Sequence, residues 1–289
     1  MAGKKKVGAI TIARRIVQIL ALLLFAVPML VAGWGALGID FGGALEALES
    51  KVATPADGAL FGSFSASTIF GVQVMDPFAF LQTVCASKSF DVAWLIAALI
   101  PFVIYGLIRG RVFCGWICPV NLVCEIVDWL RGKLKIQVRE MPVPRIVKPI
   151  LAAVVLVLSA LASLPVFELF SPVGFLTKFL AFGSLAGLWT LVCIIVAELF
   201  WGRRVWCRSL CPLGGFWQVV GKVGILAVKV DHDKCTGCGA CKKACLCDPE
   251  ILQPAISGEK RAVCSGDCML CGKCLDACNF DALSIRPGR

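Results

Sequence analysis

Cysteine is the residue type in this sequence that most clearly indicates a chemical function, because most of the 17 cysteines stand in short repeated spacings. The segments "CTGCGACKKAC" from Cys235 and "CMLCGKCLDAC" from Cys268 both read C-x2-C-x2-C-x3-C, a spacing that binds iron–sulfur clusters. Structural zinc is the alternative, but a zinc site is usually built from two CxxC pairs. It would leave the regular fourth cysteine of each run without a role. We therefore expect two [4Fe–4S] clusters.

The ligands of the two clusters are expected to cross between the runs. In two-cluster ferredoxins the fourth cysteine of each run binds the cluster of the other run. The first cluster then takes Cys235, Cys238, Cys241 and Cys278, and the second takes Cys268, Cys271, Cys274 and Cys245. Leu246 and Asn279 stand where proline normally follows the fourth cysteine, which changes a turn but removes no ligand. Cys247 and Cys264 are surplus and are expected to be buried apolar residues or spare thiols.

A second cysteine pattern, CxxxCP, occurs twice, as "VFCGWICPV" at 112–120 and "VWCRSLCPL" at 205–213. If a helix continues through each motif, the i, i+4 spacing places both thiols on one face. Pro119 and Pro212 would then end or kink that turn. The four thiols are either the ligands of a further iron–sulfur cluster or a pair of redox-active dithiols. The four thiols are those of Cys114, Cys118, Cys207 and Cys211. Four nearby arginines would offset their negative charge: Arg111, Arg203, Arg204 and Arg208.

The elements that must position these motifs are apolar. The chain is 58% hydrophobic with a mean hydropathy of +0.85, whereas soluble domains are about 45–50% apolar. Four uncharged runs, 16–37, 92–108, 149–167 and 179–197, are long enough, or nearly so, to cross a bilayer as helices. The first run is longer than a signal-peptide core and is expected to be a retained anchor. Cysteines inside or near these runs, Cys85, Cys124 and Cys193, are expected only to pack.

The predicted fold is therefore an α-helical membrane protein. It has a four-transmembrane-helix bundle over residues 1–230 and a two-[4Fe–4S] ferredoxin-like α+β domain over residues 231–289. Each half of the bundle carries an X-Pro step, "MDPF" or "FSPV", before its second helix and CxxxCP after it. The halves are thus parallel repeats with both CxxxCP motifs at one face. Residues 60–75 are expected to pack against the bundle or lie at the interface rather than to re-enter it.

Charge predicts the orientation. Residues 1–15 carry five Lys/Arg and no acid, residues 38–91 carry two Lys and six acids, and residues 109–148 carry eight Lys/Arg and three acids. The positive-inside rule places the N-terminus, the 109–148 loop and the cysteine-rich tail in the cytoplasm. We expect a multi-pass protein of a bacterial inner membrane with both termini cytoplasmic.

Two function classes are excluded at this point. The single histidine, His232, rules out a haem held by paired histidines, so no haem is expected. The net charge of +10 does not indicate a nucleic-acid partner, because the basic residues follow membrane topology instead of forming one face.

The chain resembles the NapH/MauN-type membrane ferredoxins, a CxxxCP polyferredoxin family, over essentially its whole length. The segments that carry the resemblance include "FCGWICPVN", "VDWLRGKL", "DPFAFLQ", "SPVGFL" and "CRSLCPLGG". It implies an inner-membrane electron-transfer protein, the quinol-oxidising component of an oxidoreductase complex. Its partners would be the membrane quinone pool and a NapG-like periplasmic ferredoxin or another redox subunit that leads to a reductase. The related NosR and CcoG types also carry CxxxCP, together with extra soluble domains.

Few polar groups are available to take the protons of quinol, the implied substrate. The candidates are Asp76 and Gln82 at the outer end of the second run, Glu168 at the outer end of the third and Glu198 at the inner end of the fourth. The structural alternatives are that Asp76 caps a turn and that Glu198 pairs with Arg203 or Arg204. The alternative function is a maintenance factor that supplies electrons to a periplasmic metalloenzyme without turning over quinol itself. The direction of electron flow across the membrane stays open.

Overall fold

The computed structural model describes residues 8–35, 60–62, 64–136, 138, 144–182 and 188–288, and most of them are helical. The long and medium helices are α1 (Ala9–Gly35), α2 (Pro77–Ser87), α3 (Val92–Ile108), α5 (Pro119–Leu134), α6 (Val147–Ala162), α7 (Pro172–Phe182), α8 (Leu188–Phe200) and α9 (Pro212–Val220). Short helices are α4 (Val112–Trp116), α10 (Ala240–Ala244), α11 (Gln253–Ile256) and α12 (Lys273–Asp276). The strands are β1 (Leu60–Gly62), β2 (Ala66–Ile69), β3 (Val72–Met75), β4 (Leu226–Val230) and β5 (Leu283–Pro287).

The internal repeat is visible in the order of the helices. Each half contains a short helix that starts at proline, then a longer apolar helix, a cysteine-bearing turn and a second proline-started helix. The helices that open the two halves, α2 and α7, are capped alike. The Asp76 carboxylate accepts the N–H of Ala79 at 3.1 Å, and the Ser171 hydroxyl accepts the N–H of Gly174 at 3.3 Å. A capping side chain before proline at the first helical position is a strong start signal.

The apolar helices differ from the uncharged runs, except for α3, which coincides with 92–108. Helix α6 ends at Ala162 instead of residue 167, because Pro165 disfavours helical backbone at the residue before it. The fourth run is divided between α7 and α8, and residues 183–187 lie outside the described part. Among the described residues, one helical segment, Ala9–Val27, is long and apolar enough to cross a membrane unaided. Val92–Ile108, Val147–Ala162 and Trp189–Phe200 are shorter apolar helices.

Residues 60–75 form an antiparallel three-stranded sheet that the Gly, Ser and Thr content did not predict. Phe70 and Gly71, with φ of 49° and 80°, make the two-residue hairpin turn between β2 and β3. Between β1 and β2, Phe64 stacks on Phe25 at 4.5 Å and belongs to the apolar cluster that Cys118 and Cys207 pack against. The segment therefore packs against the helices, which is the first of the two placements expected from the sequence.

The tail folds as a small α+β unit around the antiparallel pair β4 and β5, with Val228 opposite Ile285. Its buried core contains Val228, Leu246 and Met269 and packs against Ile108 and Val112 of the helical part. Strand β4 lies before residue 231, so the sheet of the tail includes residues from the 1–230 segment.

Several helices meet backbone to backbone at glycine. A Cβ atom on Gly215 of α9 would lie 2.2 Å from the carbonyl oxygen of Lys148 in α6. A Cβ atom on Gly110 would lie 2.2 Å from the carbonyl oxygen of Trp217. The helix that follows the second CxxxCP motif is thus in close contact with both α6 and the turn before α4.

Gly215→Ala should therefore lower the free energy of unfolding by roughly 1–3 kcal/mol, because the added methyl group overpacks a backbone contact. Gly132→Ala is the matched control: Gly132 is an exposed residue of α5 with open space around it, and the change should stabilise by roughly 0.5–1 kcal/mol. Thermal unfolding of the two variants in detergent, followed by circular dichroism, tests this. Equal melting temperatures would contradict the close packing.

Candidate metal centres

The two CxxxCP motifs adopt the same helix-start geometry, and no helix continues through either of them. Cys118 and Cys211 have extended backbones, with ψ of 120° and 111°, and Pro119 and Pro212 begin new helices. Proline fixes this arrangement because it excludes helical backbone at the preceding residue and lacks an N–H. In the second motif the thiol also caps the helix, because Gly214 donates its N–H to the Cys211 sulfur at 3.4 Å. The Cys118 thiol makes no capping hydrogen bond.

The turns, not a continuous helix face, bring the four thiols together. Each of Cys118 and Cys211 interacts electrostatically with both Cys114 and Cys207, and with the other. Burial, reinforced by the neighbouring thiols, raises the pKa of Cys118 and raises that of Cys211 to about 12. Burial likewise raises the pKa of Cys114, whereas the hydrogen bond with Cys124 lowers the pKa of Cys207. Three of the four thiols are therefore held neutral on their own, and a bound metal would be needed to hold them as thiolates.

A buried cation, Arg111, connects this site to the tail. Its guanidinium donates to the Cys207 carbonyl oxygen and to the Asp267 carboxylate, both at 2.8 Å. Lys148 donates to the same carboxylate oxygen. Burial acts to lower the pKa of Arg111, but the Asp267 carboxylate and the neighbouring thiols outweigh it and raise that pKa. The guanidinium is therefore a fixed positive charge beside the cysteines.

The other three arginines named from the sequence differ in position. Arg204 is buried, forms an ion pair with Asp128 at 2.8 Å and interacts with Cys207. Arg203 lies 3.8 Å from the Asp128 carboxylate, and Arg208 lies 3.6 Å from the Asp248 carboxylate. Of the four arginines, Arg111 and Arg204 are thus the two fully buried ones that interact with the CxxxCP thiols.

Glu198 belongs to the CxxxCP site. Its carboxylate accepts the N–H of Arg204 at 2.5 Å and the N–H of Trp206 at 3.2 Å, and so holds the π-helical segment Trp206–Leu210 that carries Cys207. Buried Cys124 lies 3.8 Å from this carboxylate and 4.0 Å from the Cys207 sulfur. The sequence assigned Cys124 only to packing, and no spacing pattern marked its contact with a motif of the other half.

The tail contains two cysteine-lined cavities. Cys235, Cys238, Cys241 and Cys278 line the first, which holds about 370 Å³ of empty space including its mouth. Cys245, Cys268, Cys271 and Cys274 line the second, of about 360 Å³, and Cys247 lines it too. Within the described part of the chain, no three cysteine, histidine or acidic side chains are placed to hold a single metal ion. The cysteines surround spaces for a larger group.

The two loops around these cavities have matching backbones. Gly237 and Leu270 occupy the same position in the two runs with φ of 68° and 47°, and Gly239 and Gly272 have φ of 69° and 71°. These turns aim N–H groups at sulfur: Ala240 donates to Cys238, and Lys273 donates to Cys271. Four thiols around each cavity, with backbone donors to sulfur, fit a [4Fe–4S] group.

The remaining polar candidates meet in the helical core. Asp76 interacts with Glu168 and with Tyr105 in the C-terminal half of α3, so its placement at the outer end of that helix is wrong. Ser65 donates to Glu168 at 3.2 Å, and the Gln82 amide oxygen accepts the N–H of Phe167 at 2.9 Å. Loss of hydration raises the pKa of Asp76 to about 7, and the charge of Glu168 adds to this. Asp76 also caps α2, which is the structural role that the sequence offered as the alternative to quinol chemistry.

Comparison with known proteins agrees with the cysteine geometry. A protein-family model described as a 4Fe-4S binding domain matches residues 90–137 and 184–230, each containing one CxxxCP motif. A second model of that description matches residues 228–245, which hold the first run of the tail. The chain is 31% identical to the ferredoxin-type protein NapH of Escherichia coli over 78% of this chain and 79% of NapH. The chain belongs to the NapH/MauN family of ferredoxin-type proteins.

Other members extend the match. The methylamine utilization ferredoxin-type protein MauN of Methylorubrum extorquens is 36% identical over 78% of each chain. NapH of Haemophilus influenzae is 31% identical over 76% of this chain and 77% of the relative. No solved structure matches the chain significantly. Membership in the NapH/MauN family identifies this chain as an iron–sulfur protein of electron transfer.

Arg111→Met should lower the free energy of unfolding by roughly 3 kcal/mol, the low end for breaking a buried ion pair, because Lys148 still contacts Asp267. Arg145→Met is the control, since the Arg145 side chain is 44% exposed and its ion pair with Asp248 is worth less than about 1 kcal/mol. Chemical denaturation of both variants measures the difference. An equal cost for the two would show that Arg111 does not hold the tail.

Proposed function

We propose that this member of the NapH/MauN family oxidises quinol within a four-helix membrane domain and passes the electrons through iron–sulfur clusters to a redox partner. One observation carries the proposal: an ionisable pair and the CxxxCP thiols border the same apolar cluster. Phe78, two residues after Asp76, and Phe167, next to Glu168, belong to the cluster that Cys114 and Cys211 pack against. A proton acceptor and a candidate electron acceptor thus lie on one apolar cluster.

Oxidation of one quinol releases two protons and two electrons. The protons and the electrons need different acceptors. Iron–sulfur clusters, when bound, accept the electrons one at a time. The Asp76 carboxylate takes a proton, because a pKa of about 7 lets it bind and release one near neutral pH. Glu168, held by the Ser65 hydroxyl, is the second carboxylate of the pair. Quinol from the membrane pool is the substrate.

Membrane placement rests on charge and on exposed apolar surface. Helix α1, helix α3, helix α6 and the α7–α8 pair are the four membrane segments of residues 1–230. Large apolar side chains of these helices are 58–73% exposed, among them Leu20, Ile96, Val157 and Trp189. Large exposed apolar surface of this kind fits lipid contact.

The position of the start of α1 supports a common side for this helix end and the tail. The N–H of Thr11, near the start of α1, donates to the Asp276 carboxylate of the tail at 2.8 Å. We propose that this side faces the cytoplasm of a bacterial cell, as the positive-inside rule assigns it from the sequence.

The CxxxCP thiols are proposed to bind a further [4Fe–4S] cluster next to the two of the tail. The match of the 4Fe-4S domain to both motifs supports this. The connection to the tail is direct: the Trp116 indole N–H donates to the Leu270 carbonyl oxygen at 3.1 Å, between Cys268 and Cys271. The residues that would hold the second tail cluster thus lie next to the first CxxxCP motif, and exposed Cys238 would present the first tail cluster to a redox partner.

Cys207→Ala should remove one cluster, about four irons per chain, and leave the tail clusters in place. Cys193→Ala is the control, because this exposed cysteine of α8 contacts none of the proposed ligands and should leave the iron content unchanged. Iron and acid-labile sulfide analysis of purified protein measures both. Unchanged iron in the Cys207 variant would refute the CxxxCP cluster and favour redox-active dithiols.

The rate of cluster reduction by quinol should rise with pH through about 7, because Asp76 accepts a proton only after it has lost its own. Asp76→Asn keeps the helix cap but removes the acceptor, so the rate should fall by about 100-fold and lose this pH step. Asp91→Asn, the exposed cap of α3 with the same type of hydrogen bond, is the control. Anaerobic stopped-flow bleaching measures the rate. A wild-type pH profile in the Asp76 variant would contradict this role.

A further inference from the structure

The second cavity of the tail has five cysteines around it, one more than a [4Fe–4S] cluster needs. The fifth, Cys247, lies outside the C-x2-C-x2-C-x3-C run and lines the cavity together with Cys245 and the three cysteines of the second run. Cys247 is 4% exposed and belongs to the buried core that contains Cys268, Cys271 and Cys274. Cys245 is only partly buried and packs at the edge of that core.

Cys245 and Cys247 reach the same cavity across a bend in the chain. Cys245 ends α10 with an extended conformation, φ −61° and ψ 128°, and the backbone bends at Leu246 and Cys247. Leu246 is buried in the core of the tail, while Cys245 and Cys247 both line the cavity and their thiols interact with each other.

Cys247 is also within range of the other ligands. Its sulfur interacts with the thiols of both Cys268 and Cys271, and it accepts the N–H of Met269. That amide is in the turn between Cys268 and Cys271, where backbone donors to ligand sulfur are expected. Cys245 interacts with Cys271 and lies 3.5 Å from the Asp248 carbonyl oxygen.

The two thiols face different neighbours. Cys247 interacts with Arg111, which also interacts with Cys114 and donates to the Cys207 carbonyl oxygen. Among the five cysteines of the cavity, the thiol of Cys247 is the one in electrostatic contact with that guanidinium. A ligand at this position would lie on the side of the cavity that faces the CxxxCP motifs.

We propose that Cys247 is a ligand of the second tail cluster and occupies the fourth ligand position that the cysteine spacing assigns to Cys245. The inference rests on the proposed [4Fe–4S] clusters of the tail but not on quinol oxidation. Exchange between the two thiols is balanced: the Cys247 thiol bonds to iron and gives its proton to the Cys245 thiolate that leaves. No electron is transferred in this step.

The test compares alanine variants of the full-length protein, because alanine cannot bind iron. Cys245→Ala should keep the iron content of the wild type, whereas Cys245→Ala with Cys247→Ala should lose one cluster, about four irons per chain. Cys245→Ala with Cys264→Ala is the matched double control and should keep all iron, since the Cys264 thiol faces the Ala262 carbonyl oxygen, 3.4 Å away. Cys271→Ala gives the reference spectrum for loss of this cluster.

The overturning results are specific. If Cys245→Ala alone loses as much iron as Cys271→Ala, or if the Cys245/Cys247 double variant keeps it, Cys247 is not a ligand. Electron paramagnetic resonance of the reduced protein reports the first cluster separately and serves as the check on folding. Where the double variant does not fold, thiol alkylation of Cys245→Ala before and after removal of its iron by a chelator decides. Cys247 labelled only after the iron is removed supports the proposal, and labelling that is the same in both states overturns it. Neither readout depends on quinol turnover.

Discussion

The buried ion pair between Arg111 and Asp267 connects the segments that carry the cysteines. Arg111 precedes the first CxxxCP motif, Asp267 directly precedes Cys268, and the same guanidinium holds the carbonyl oxygen of Cys207. Buried charges are costly unless their hydrogen bonds are made, and here both Lys148 and Arg111 contact the carboxylate. Movement of any one of these segments would leave a buried charge without a partner. The ion pair therefore fixes the position of the CxxxCP motifs relative to the tail.

Proline has a consistent part in this architecture. It begins the helices after both CxxxCP motifs and the two short helices α2 and α7. At each of these starts the preceding residue is held away from helical backbone, and its side chain can accept N–H groups of the first turn. In the CxxxCP motifs that residue is cysteine. The dipeptide Cys-Pro thus determines where the second thiol points, which explains why proline follows the same cysteine in both halves.

The tail was the most predictable part, because cysteine spacing reflects local backbone geometry that the loops around Cys235 and Cys268 repeat. Helix α3 was predictable from its uncharged run. The sheet of residues 60–75 was not, since its Gly, Ser and Thr content is equally typical of a loop, and its contacts with Phe25 and the CxxxCP motifs are long-range. The depth of Asp76 depends on that sheet. The contact of Cys247 with the second cavity depends on the bend of the chain after α10, which the spacing rule does not contain.

The glycine contacts have a consequence for the kinetics of the protein. A Cβ atom on Gly115 would lie 2.8 Å from the carbonyl oxygen of Met269, and one on Gly266 would lie 2.0 Å from that of Gln218. The tail is thus seated directly against the backbone of the helical part, unlike a ferredoxin domain on a flexible linker. The proposed electron exchange between the two parts would require no diffusive swing of the tail. Its rate should then be insensitive to solvent viscosity, and only the encounter with a separate partner should slow in a viscous medium.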